Sequence, residues 1–343
     1  MLEKMLQDRK IPALLPKEEM MELLHRNVYG YLPPKPDEIT FEDLGKFYPS
    51  ISAGDATCNR IKATCKMGEK EFSFIFFAVL PTDGKKHPFF VHINFGDKVP
   101  DRYQPTEELV DNGFAVLTVC YKDITSDDGD MTNGLAGVLY PDSHRGPTDP
   151  GKIAMWAWAT HRLLDYAETQ AHVLDMSRAI VCGHSRLGKT ALLAGATDPR
   201  FACAYSNNSG CTGAALSRGK VGETVAKICN RFPYWFCENY IAYSDREADM
   251  PFDQHYLIAS IAPRAVLVGS ATEDAWADPI SEYLSCVAAK PAFDGNFIHP
   301  DRLPEMDDMF LDGQLGYHLR RGTHYFCRRD WHRLIAFFNA KNP

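Results

Sequence analysis

The sequence predicts an α/β chain, a three-layer αβα sandwich around a mostly parallel sheet, and three observations predict it. Apolar strand-like runs alternate with helix-like amphipathic runs along most of the chain, the pattern of strands joined by crossover helices. A small-residue run at 179–182 passes through Gly183-His184-Ser185-Arg186-Leu187-Gly188 straight into a helix-like stretch. The length of 343 residues at 45% hydrophobic composition suffices for one large core rather than clearly for two. The expected organisation is a helical arm at 1–45, packed on the core, followed by one α/β domain at 46–343.

In the arm, the run 17–25 is helical, with Pro16 at its start and Pro33, Pro34 and Pro36 ending it. Strands are expected at 60–65, 72–79 and 89–94, a helix at 107–112, a strand at 114–119 and a helix at 155–168 leading to the strand before Ser185. Further strands fall at 202–207, 264–269 and 316–320, and 330–339 closes the chain as a helix. The stretch 121–150 has no period and is long for a compact domain, which marks it as functional. A second insertion, 209–255, is rich in aromatic residues, with Phe232, Tyr234, Trp235, Phe236, Tyr240 and Tyr243. Trp235 could line a leaving-group platform or form the core of this cap; the second is preferred.

A net charge of −8 argues against nucleic-acid and anionic-membrane partners, which select a basic face. No run approaches the roughly 20 apolar residues of a membrane span. The first ten residues lack an apolar signal core. A cytoplasmic monomer is therefore expected, or a secreted or periplasmic one if a leader has been trimmed away. Ten cysteines, several in apolar strand-like runs and none in a CxxC pair, are expected as free thiols. His92, His144 and Asp142 lack metal-ligand spacing, and neither metal nor cofactor is expected.

The strand, tight turn and helix around Ser185 read as a nucleophile elbow of the α/β-hydrolase fold, in which the serine hydroxyl is raised at a helix N-terminus. The usual pattern has its second glycine two residues after the serine; here that place is Leu187, and Gly188 follows. In this fold the chain order is nucleophile, acid, histidine. His324, in the turn Gly322-Thr323-His324-Tyr325 after the last strand, is the preferred base, with His318 on a strand and His332 on a helix as rivals. The acid is sought just after the strand at 264–269, where Asp274 is preferred over Glu273 and over Asp278, which precedes Pro279 as a helix cap would.

These motifs, with Ser206-Asn207-Asn208-Ser209-Gly210-Cys211-Thr212-Gly213, Gly222-Glu223 and Glu273-Asp274-Ala275-Trp276-Ala277-Asp278-Pro279, resemble the glucuronoyl esterases of carbohydrate esterase family 15, of the bacterial type, from about residue 45 to the end. The resemblance implies cleavage of glucuronic or 4-O-methyl-glucuronic acid esters, as in lignin–xylan linkages or small glucuronoyl esters. It implies Ser185 as nucleophile, His324 as base, Arg186 as an oxyanion arginine, Lys189 and Glu223 as sugar-hydroxyl partners and Trp276 as a sugar-lining aromatic. Read alone, the last three would serve as a surface elbow lysine, a helix-start glutamate and a core aromatic. Fungal members carry a glutamate where this chain has Asn208, so the acid has to come from elsewhere, which agrees with Asp274. Asn208 is left to bind substrate or hold its loop. A further oxyanion N–H is expected from the Asn94-Phe95-Gly96 loop. The rival readings are an acetyl xylan esterase, for which Lys189, Glu223 and Trp276 have no use, and a non-catalytic carbohydrate-binding homologue.

Overall fold

A computed structural model describes residues 1–341, apart from the side chains at 49 and 50. Ten strands form one sheet: β1 (Glu38–Ile51), β2 (Ala56–Met67), β3 (Lys70–Pro81), β4 (His87–Asn94), β5 (Ala115–Cys120), β6 (Leu174–His184), β7 (Phe201–Asn207), β8 (Ala265–Ala271), β9 (Met309–Phe310) and β10 (Leu315–Arg320). Their order is β1-β2-β3-β5-β4-β6-β7-β8-β10-β9. The block from β5 to β10 is parallel, and β1 to β3 and β9 extend it as antiparallel edges.

Among the described residues ten α-helices surround the sheet: α1 (Leu2–Asp8), α2 (Lys17–Leu24), α3 (Thr106–Asp111), α4 (Gly134–Leu139), α5 (Lys152–Thr169), α6 (Arg186–Thr197), α7 (Val225–Arg231), α8 (His255–Ala259), α9 (Pro279–Ala289) and α10 (Arg328–Asn339). Successive side chains of a strand point to opposite faces. On β4, accordingly, Phe89, Val91 and Ile93 join the core under α5 and α6, whereas Phe90 joins the core under α3 and α10. These two cores are the interfaces of a three-layer sandwich, as the alternation predicts.

The boundary expected at residue 45 falls inside β1. The alternation Ile39, Phe41 fits a strand, but beyond Asp43 the pairing slips three times around a left-handed Gly45, and one face of an edge strand stays in solvent, so the periodic signal is weak. The arm itself is packed: Met20, Met21, Leu24, Val28 and Tyr29 lie in the main core, and Tyr29 OH donates to Thr212 O at 2.7 Å. Among the described residues no helix is long and apolar enough to cross a membrane. All ten cysteines are free.

Candidate active site

Ser185 follows the last residue of β6 and is the N-cap of α6, with φ 58° and ψ −125°, a conformation that costs a non-glycine residue energy and recurs where a side chain must be presented. Two glycines make the turn possible. A Cβ on Gly183 would lie 2.2 Å from Leu187 O, and one on Gly188 would press on Ser206 Oγ and Ser209 Cβ at 3.1 Å each. Gly188 thus serves close packing against the loop after β7, which explains why its place three residues after the serine still works. Ser185 N–H donates to Asn207 O at 2.9 Å, tying the elbow to β7.

Ser185 opens into a cavity of about 300 Å³ that is also lined by Arg186, Lys189, Asn208, Glu223, Asp274, Trp276 and His324. These eight residues, expected from the sequence as nucleophile, base, acid, oxyanion arginine and substrate partners, therefore meet at one place. His324 Nδ1–H donates to Asp274 Oδ2 at 2.6 Å, which leaves Nε2 as the basic nitrogen. Asp274 also accepts from Asn208 Nδ2 at 2.8 Å and from Ala277 N–H at 3.2 Å. Burial alone would raise the Asp274 carboxyl, but the hydrogen bond and charge of His324, with the Asn208 and Ala277 donors, more than offset it and hold its pKa below the ordinary carboxylate value. Beside His324, at 4.5 Å between ring centroids, stands His184. Burial and the neighbouring His324 lower its pKa to about 3, and its ring bonds Asn207 Oδ1 at 2.7 Å, so it packs as a neutral ring.

Arg186 is anchored by a residue that sequence reasoning missed. Its Nη1 is bonded to Asp127 Oδ2, and its guanidinium lies over the Trp235 ring at 4.6 Å. Asp127 comes from the irregular stretch after β5, and only a fold that brings that loop over α6 makes the pair, so the sequence held no local signal beyond the length of the loop. Trp235 is buried and stacked on Phe232 at 3.9 Å, yet it lines the cavity; it is core and wall at once.

On the opposite side, Lys189 is buried and donates to Ser209 O at 2.5 Å and to Cys211 O, with Glu223 Oε2 at 3.8 Å. The ammonium expected to bond sugar hydroxyls is instead largely committed to the 209–211 loop, because a buried cation must find partners. Asn208, grouped with the substrate partners, has its amide turned to Asp274 instead, and so holds the acid. Glu223 N–H donates to Trp276 O at 3.0 Å, and a Cβ on Gly222 would strike Ala275 O at 2.4 Å, so the Gly222-Glu223 pair is zipped along the Trp276 segment. Trp276 is 47% exposed, not a core residue. Beneath the 208–210 loop the buried Glu282 accepts from Gly210 N–H at 2.8 Å and from Ser270 Oγ at 2.5 Å.

The remaining candidates lie outside the constellation. His318 is buried against Tyr205 OH at 3.0 Å, and His332 pairs with Glu108 on the outer face. Glu273 is exposed. Asp278 caps α9, accepting from Ser281 N–H at 3.1 Å, Ser281 Oγ at 2.6 Å and Val221 N–H at 2.9 Å. In the loop after β4, Phe95 N–H donates to Asn94 Oδ1 at 2.8 Å, so this amide is not the free oxyanion donor expected there; the Phe95 ring instead stands 5.8 Å from the Arg186 guanidinium carbon. Among the described residues no three His, Cys, Asp or Glu side chains gather as a metal site.

The sequence matches a family model described as glucuronyl esterase, fungi, over residues 63–295. Carbohydrate esterase MZ0003, from an unknown prokaryotic organism, is 35% identical over 94% of this chain and 83% of its own length. The 4-O-methyl-glucuronoyl methylesterase of Podospora anserina is 31% identical over 78% of this chain, which spans 53% of that longer protein. Among solved structures, a glucuronoyl esterase from Solibacter usitatus superposes with a TM-score of 0.86 at 30% identity, covering 95% of this chain and 92% of that one.

Proposed function

The chain belongs to the glucuronyl esterase family and is a carboxylic-ester hydrolase; from that premise we propose that it cleaves esters of glucuronic and 4-O-methyl-glucuronic acid by acyl transfer through Ser185, His324 and Asp274. The observation that carries the reading is the His324–Asp274 bond of 2.6 Å on the wall of the cavity that Ser185 opens into.

His324 Nε2 takes the hydroxyl proton as Ser185 Oγ attacks the uronoyl carbonyl, and Asp274 stabilises the imidazolium and fixes its tautomer. Charge then develops on the carbonyl oxygen, where the Arg186 backbone N–H at the start of α6 and its guanidinium receive it. A charged donor stabilises an oxyanion more than a neutral one does. The tetrahedral intermediate collapses, His324 protonates the departing alcohol, and water repeats the sequence on the acyl-enzyme.

Asn208 acts on the acid rather than on the substrate, holding the Asp274 oxygen that His324 uses. Glu223 faces the sugar hydroxyls with Lys189 behind it, and the exposed face of Trp276 takes the sugar ring. One chain supplies every side chain of the site, so a monomer suffices. The test is hydrolysis of benzyl glucuronate and its 4-O-methyl form beside acetylated xylan and para-nitrophenyl acetate. The reading expects turnover of the uronate esters; activity confined to the acetates would make the protein a deacetylase and remove the proposed roles of Glu223 and Trp276.

A further inference from the structure

The run Ser126-Asp127-Asp128-Gly129-Asp130 places three carboxylates within four positions of a loop, and like charges so close favour an open chain. The fold supplies a cation from outside. Lys152, the first residue of α5 and 0% exposed, sends its ammonium into this loop. It donates to Ser126 O at 2.8 Å, Ser126 Oγ at 3.0 Å and Asp130 O at 2.7 Å, with Asp128 at 3.6 Å. All three N–H donors of the lysine are thus used, and the loop closes around them.

The closed loop turns Asp127 to the active site. Its side chain is 7% exposed. Oδ1 accepts from Trp235 Nε1 at 2.7 Å, and Oδ2 accepts from Tyr121 OH at 2.9 Å as well as from Arg186 Nη1. Tyr234 OH donates to Asp127 O at 3.0 Å. Trp235 therefore fixes both the face of the guanidinium, by stacking, and the carboxylate that grips its edge. Arg186 Nε is buried without a protein partner, so the donors left for an oxyanion belong to the rest of the guanidinium, on a side chain that is 25% exposed and lines the cavity.

We propose that Asp127 is a positioning residue for the oxyanion arginine: it clamps one edge of the Arg186 guanidinium against Trp235 so that the remaining N–H groups are aimed before charge develops. This rests on the reading of Arg186 given above. Two effects compete. The carboxylate orients the fork, which removes the cost of immobilising a long side chain in the transition state, and it also offsets part of the positive charge offered to the oxyanion. Orientation wins if the Nη1 edge is the only part neutralised, and the two outcomes have opposite signs in kcat.

The experiment compares benzyl glucuronate hydrolysis by wild type, Asp127→Asn, Arg186→Ala and the double variant. Asn keeps the shape and the Trp235 bond while removing the charge. The expected result is a fall in kcat of about 10- to 100-fold with KM within about threefold, since an oxyanion donor misaimed is felt in the transition state. In the Arg186→Ala background the same substitution is expected to change kcat by less than about twofold, because coupled residues are not additive. An equal loss in both backgrounds would make Asp127 a merely structural residue, and a kcat at or above wild type would mean that charge neutralisation dominates; either overturns the inference. Wild-type inactivity on every uronate ester would overturn it together with the reading of the site, whereas an active wild type with a silent Asp127→Asn overturns this inference alone.

Discussion

Asp274 and His324 meet at 2.6 Å although one side chain is 3% exposed and the other 42%. The carboxylate is rooted at the end of β8, and the imidazole reaches it from a turn after β10. A buried, multiply bonded anion holds an accessible base in one tautomer, which is the division of labour acyl transfer needs. Asp274→Asn keeps the volume and replaces an acceptor oxygen by a donor, so His324 would present the wrong nitrogen. A drop in kcat of about 10³- to 10⁴-fold is expected, with KM little changed. Steady-state kinetics on benzyl glucuronate checks it; a loss below tenfold would assign the acid elsewhere, with Glu273 the next to test.

Asn208 sits at φ 47°, a region that Asn and Asp tolerate better than most residues. Asn208→Asp therefore preserves the turn while placing a second carboxylate where the amide stood 2.8 Å from Asp274. Two such groups cannot both ionise cheaply, so one pKa rises. The acid limb of the kcat/KM profile is expected to move to higher pH. An unmoved profile would mean that Asn208 does not act through Asp274.

Much of this site was legible because its signals are local. The elbow requires glycines beside the serine, the helix cap at Asp278 is marked by the proline after it, and the order nucleophile, acid, histidine narrows the downstream candidates. What escaped depends on segments distant in sequence. Asp127 reaches Arg186 across 59 positions from a stretch with no period, and the commitment of Lys189 to Ser209 O and Cys211 O follows from carbonyls of a loop whose path no residue type announces. The strand at Glu38–Ile51 escaped for another reason: irregular pairing and an exposed edge leave little apolar periodicity to read.

Trp276 is exposed at the cavity and bears on folding little, so Trp276→Ala is expected to shift Tm by no more than about 2 °C, the scale of a surface substitution. Loss of the aromatic face should raise KM for glucuronoyl esters by about tenfold, which is the size of one stacking contact. Calorimetry and kinetics on the same preparation separate the two; a large Tm loss with unchanged KM would return Trp276 to a structural role.

Glu282 is a buried carboxyl whose pKa burial pushes up from 4.5 to about 7. Between those values the folded chain holds a proton that the unfolded chain releases. The associated stability is present below the unfolded value and is lost as pH rises through the folded one. Urea denaturation at about pH 5 and about pH 8 should therefore show a decline in wild type that Glu282→Gln reduces. Equal declines in both proteins would mean that Glu282 is ionised throughout.

The most direct measurement is kcat/KM for benzyl glucuronate in wild type and in Ser185→Ala, with circular dichroism confirming that the variant is folded. The account predicts a loss of at least about 10⁴-fold, since the other serine on the cavity wall, Ser209, has its Oγ held by Ser206 Oγ and Ala214 N–H. A folded variant that keeps a tenth or more of the wild-type value would contradict it and place the chemistry away from the elbow.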